Sequence, residues 1–119
     1  MSVFVFILVG CDALFKYESE CQFSESYITI NTNRNGEYYQ KFSFDSSGGV
    51  SFNGVSTMKS ATDIRNNLSF TYNVNSQLLK LEFKKSERLI NNLNKECVNK
   101  LQSFFISNNV KVNIELIGN

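Results

Sequence analysis

At 119 residues, with twelve Lys and Arg against eleven Asp and Glu, the chain is close to neutral and long enough for one domain. Charges of both signs are interspersed, so no basic stripe is present to follow a phosphate backbone, and we expect no nucleic-acid partner. There is no His, which removes the commonest general base and the commonest metal ligand. We therefore expect no enzyme, no catalytic residues, no metal and no other cofactor.

Val3 to Val9 are seven consecutive apolar residues, followed by Gly10 and Cys11. A bilayer-spanning helix needs about 20 such residues. A signal peptide has an apolar run of about 7–15. Leu8-Val9-Gly10-Cys11 resembles the lipobox of bacterial lipoproteins, and the resemblance covers residues 1–12. It implies that 1–10 is a signal peptide and that Cys11 is the site of lipid attachment. The lipid would be a thioether-linked diacylglycerol, with a further acyl group such as palmitate. Two or three chains make a durable anchor, since each buried CH₂ contributes about 0.8 kcal/mol. Asp12, directly after that Cys, resembles the sorting residue that retains lipoproteins on the periplasmic face of the inner membrane. The same apolar run also fits a central β-strand. An alternative therefore stays open, in which residues 2–9 are a core strand of a cytoplasmic interaction domain and Cys11 is an inert thiol.

Export accounts for the odd number of cysteines. With Cys11 acylated, Cys21 and Cys97 remain as one pair in an oxidising compartment, 76 positions apart, and are expected to form a disulfide. The competing reading is two free buried thiols.

Residues 11–25 read as the lipid-anchor Cys and a tether that joins the domain near Cys21, and 26–119 as a single α+β domain. Tyr27, Ile28 and Ile30 mark a first strand. Asn35-Gly36 follows as a tight hairpin turn, because both residue types tolerate positive φ. Phe42 and Phe44 alternate with Lys41, Ser43 and Asp45 as a second strand, and Val50 and Phe52 begin a third after Ser46 to Gly49. Residues 56–67 fit a loop or a short helix. Leu68, Phe70, Tyr72 and Val74, then Leu79, Leu81 and Phe83, alternate with polar residues, the pattern of an antiparallel pair covered on one face. Ser86 reads as an N-cap. Leu89, Ile90, Leu93, Cys97, Leu101, Phe104 and Phe105 recur at spacings of three and four, which predicts one long amphipathic helix over about 86–107. Val110, Val112, Ile114 and Leu116 predict a final strand over about 110–116. The expected architecture is thus an antiparallel β-meander covered by one long helix and completed by that strand.

Arg34, Tyr38 and Tyr39 flank the Asn-Gly turn and form the expected binding surface, since Tyr and Arg dominate binding hot spots and turns carry function. Lys84-Lys85 reads as a solvated strand end. The expectation is a lipid-anchored binding, inhibitor, immunity or exclusion module of the bacterial envelope, facing the periplasm. Its partners are the membrane, through the anchor, and a protein. An accessory subunit of an envelope secretion or pilus assembly is the alternative.

Overall fold

The computed structural model describes residues 15–118. Those residues are mostly β, 49% strand and 19% helix, arranged as two sheets with two short helices. This overturns the expected meander under one long helix.

Sheet A holds five strands in sequence order, all antiparallel: β1 (Tyr17–Phe23), β2 (Tyr27–Arg34), β3 (Glu37–Asp45), β4 (Val50–Phe52) and β5 (Val55–Met58). Its turns follow from local chemistry. Asn35 and Gly36 have φ of 54° and 83°, and Asn53 and Gly54 have 51° and 85°, as tight two-residue hairpins require. Between β3 and β4, Asp45 Oδ1 accepts from the N–H groups of Ser47 and Gly49 and from the Ser47 hydroxyl. Gly48 there has φ of 91°, and a Cβ on it would run into the backbone of Ser60 and Ala61. Strand β1 falls within the segment read as a tether. Cys21 and its neighbours on the inner face are half-buried while Glu18 and Glu20 point to solvent, so the polar edge strand gave no clear hydrophobic period.

Helix α1 (Ala61–Asn67), capped by Ser60, leads into sheet B. That sheet is ordered β8 (Glu87–Ile90), β7 (Leu78–Phe83), β6 (Leu68–Asn73), β9 (Ile114–Ile117), with β9 parallel to β6. Helix α2 (Lys95–Ser107) is the crossover from β8 to β9.

The predicted helix over 86–107 is thus two elements. Residues 87–90 extend as a strand on β7, pairing Glu82 with Glu87 and Leu79 with Ile90. Leu89 and Ile90 are neighbours that satisfy a helical stripe equally well, and the sheet edge offered by β7 decides between the two. Asn92, at φ 53°, ends the extended run. Asn94, not Ser86, is the N-cap, its Oδ1 accepting from Cys97 N at 2.8 Å. The final strand is also shorter than its alternation predicted. Val110 and Val112 are buried, but Gln102 holds this stretch as a loop by donating to Val112 O (2.8 Å) and accepting from Ile114 N (2.6 Å).

One core joins the layers. Phe44 of sheet A, Phe70 of sheet B and Phe105 of α2 meet with ring centroids 5.4–6.1 Å apart. Ile28, Ile30 and Phe42 continue the core in sheet A, and Tyr72, Leu79 and Leu81 in sheet B. The Tyr72 hydroxyl, buried among them, donates to Leu93 O at 2.6 Å. Burial pushes that phenol's pKa above its ordinary value. Cys21 and Cys97 lie at disulfide-bonding distance, with Cα atoms 6.1 Å apart, so β1 and the start of α2 are adjacent.

Candidate functional site

The expected surface residues divide between two places, and a one-residue slip in the sheet divides them. In the β2–β3 ladder Thr32 faces Gln40 and Asn33 faces Tyr38, which leaves Tyr39 as an extra residue, a β-bulge. Directly paired residues share a face. Tyr38 therefore lies with Asn33 on the outer face of sheet A, and Tyr39 is re-aimed toward the end of the inner face.

Arg34 and Tyr39 come together there. The Arg34 guanidinium lies 4.6 Å from the Tyr39 ring centroid and 4.8 Å from that of Phe15, between the two rings. Tyr17, opposite Arg34 in the β1–β2 ladder, meets Tyr39 edge-on at 5.6 Å. Phe15 and Tyr17 were missed in the sequence because they sit in the presumed tether. Only the hairpin brings them to Arg34. A two-way clasp fixes the point of entry: Lys16 N donates to Asn35 Oδ1 (2.7 Å), and Asn35 N donates to Lys16 O (2.8 Å). Phe15 and Tyr39 remain 45% and 39% exposed.

Tyr38 takes no part in this cluster. Its hydroxyl donates to Asn53 Oδ1 at 2.8 Å, and the same oxygen accepts from Lys41 N. It is 61% exposed. The outer face it shares carries an open hollow of about 430 Å³, lined by Tyr27, Thr29, Lys41, Ser43, Asp45 and Ser56 among others. Asp45 is the one carboxylate in that lining. Partial burial tends to raise its pKa. The hydrogen bonds from the Ser47 hydroxyl and from the Gly49 and Ser47 amides outweigh burial and hold the pKa below the ordinary value. This carboxylate is satisfied within its own turn.

Lys84 and Lys85 form the β7–β8 turn beside Arg88, whose guanidinium lies 4.3 Å from the Phe52 ring centroid. This is a strand end with a packed neighbour. Ser56-Thr57-Met58-Lys59 has the spacing of a Ser-x-x-Lys pair. Such a pair meets on a helix, where residues three apart share a face. Here Ser56 lies on strand β5 and Lys59 just past its end, so the two do not share a helix face. Among the described residues no group of His, Cys, Asp and Glu is placed to hold a metal ion, and no helix is long and apolar enough to cross a membrane. Cys11 and Asp12 lie outside the described residues. No family model, curated protein or solved structure matches this chain.

Proposed function

We propose that the chain is a partner-binding module of the bacterial envelope, anchored through lipid on Cys11 and facing the periplasm, with an inhibitory, immunity or exclusion role. The observation that carries the binding role is the outer face of sheet A. It is an open sheet surface that carries the exposed Tyr38 and a hollow whose lining includes Tyr27, which is 47% exposed. Aromatic side chains with a polar tip give large contact area at low entropic cost, which suits a protein partner. The anchor is supported by Leu8-Val9-Gly10-Cys11, and an oxidising compartment by the approach of Cys21 to Cys97.

Photocrosslinking in membranes tests this reading. A photoreactive Phe analogue replacing Tyr38 in the full chain is expected to capture one protein of defined mass. Capture should be about tenfold stronger than from the same probe at Ile106, in line with recognition concentrated at central aromatic anchors. Equal capture from both positions overturns the assignment of the face.

A second reading has its own observation. Among the described residues β9 is one of the two edge strands of sheet B, with Leu116 and Ile117 exposed, and an apolar edge strand invites pairing with another chain. This favours an accessory subunit of an envelope assembly. Capture from Leu116 rather than Tyr38, of a stoichiometric partner during ordinary growth, would establish it instead.

A further inference from the structure

The Arg34 cluster stands at the end of the domain where the chain arrives from Cys11. Three residues separate Cys11 from Phe15, and even fully extended the four steps between their Cα atoms span only about 14 Å. The Lys16–Asn35 clasp pins the far end of that segment to the tip of the β2–β3 hairpin. A lipid on Cys11 therefore keeps the hairpin tip within that reach of the bilayer surface.

The tip's chemistry fits such a position. Phe15, Tyr17 and Tyr39 present aromatic surface, and Arg34 lies between two of the rings with its charge spread against their faces. Aromatic rings with polar tips, and cations on apolar stems, collect where acyl chains meet headgroups. Lys16 and Arg34 are balanced nearby by Glu18 and Glu37, so the tip carries no strong net charge that would demand anionic lipid.

We infer that Phe15, Tyr17, Arg34 and Tyr39 form a seat on the lipid surface that fixes how the anchored domain stands on the membrane. This rests on the lipid-anchor reading of Cys11. The hollow on the outer face of sheet A, lined by Tyr27 and Asp45 among others, lies toward the other end of β2 and β3 from the seat. Helix α2 runs from Cys97, beside Cys21, to Phe105, beside Phe44. Its exposed Ile106 thus belongs to the opposite end of sheet A from the hairpin tip, and serves as the control.

The chain has no Trp, so a single introduced Trp is an unambiguous probe. The mature acylated protein carrying Tyr39→Trp, Phe15→Trp or Ile106→Trp is reconstituted into phosphatidylcholine vesicles with or without brominated acyl chains. We expect about twofold quenching, with a blue-shifted emission, at positions 39 and 15, and little change at 106. Two separate Trp positions guard against one variant that packs poorly. Unquenched Trp at both 39 and 15, in a chain that floats with the vesicles, overturns the seat and leaves the anchor standing. Equal quenching at all three positions overturns a fixed orientation. A chain whose intact mass lacks acyl groups, and which stays off the vesicles, overturns the anchor and the seat together. Flotation and mass distinguish that result from the others.

Discussion

The two sheets use similar residues but differ in how far along the chain each strand looks for its partner. In sheet A every strand pairs with its sequence neighbour across a short turn. In sheet B, β6, β7 and β8 do the same, but β9 joins β6 in parallel only after β8 and α2 have intervened. Sheet A is therefore specified mainly by its turns. Closure of sheet B depends on packing between distant segments. The site follows the same division, since both faces discussed above are built on the locally paired strands of sheet A.

The contrast can be broken at the rings that join the sheets. Phe105→Ala should cost about 3–5 kcal/mol, the usual effect of removing a buried aromatic ring. Chemical denaturation followed by amide exchange checks this. If the layers fold as one unit, exchange rises in β3 and β6 together, because Phe105 touches Phe44 and Phe70. A loss confined to sheet B would show that sheet A holds on its own turns.

A smaller effect is expected from the tie between β1 and α2. Cys97→Ser should lower stability by about 2–4 kcal/mol relative to the oxidised protein. Reductant should bring the parent chain down to the level of the variant and leave the variant unchanged. An identical midpoint with and without reductant in the parent would show that the two thiols are unbonded.

The smallest effect belongs to a turn of sheet A. The folded Asp45 carboxyl binds its proton less tightly than the unfolded one. Its contribution is complete above the unfolded pKa and is lost as pH falls through the lowered folded value. Asp45→Asn keeps an acceptor for the Ser47 and Gly49 amides. Lacking the charge, it should lower neutral stability slightly, by that contribution, and flatten the acid limb of a stability-against-pH curve. An unaltered acid limb would place that pH dependence in other carboxylates.

What could be read in the sequence follows the same local-to-distant gradient. Asn35-Gly36 marks its hairpin because few other residue pairs adopt two successive positive φ values. The β6–β7 pairing was visible in the alternation of Leu68, Phe70 and Tyr72 with polar residues. Leu89 and Ile90 misled, because a short apolar run is compatible with helix and strand until a pairing edge is known. Val110 and Val112 misled because alternation reports burial, and Gln102 supplies the hydrogen bonds that a strand partner would otherwise give. At the site, Arg34 and Tyr39 were recognisable as residue types beside a turn. Their separation from Tyr38 was not, since a bulge leaves no mark in composition, and Phe15 and Tyr17 lay in a segment without a clear period.

The parallel pairing of β6 with β9 also sets an order of events as the chain emerges from its N-terminal end. Once residue 58 is out, all five strands of sheet A are present and each has its partner. Strand β6 must then wait, with one edge open, until residues 114–117 arrive. Phe70 and Tyr72 lie on that waiting strand, so its inner face offers bulky apolar side chains throughout the delay. The nascent chain is most exposed to wrong partners during that interval, and arrival of its last strand closes it.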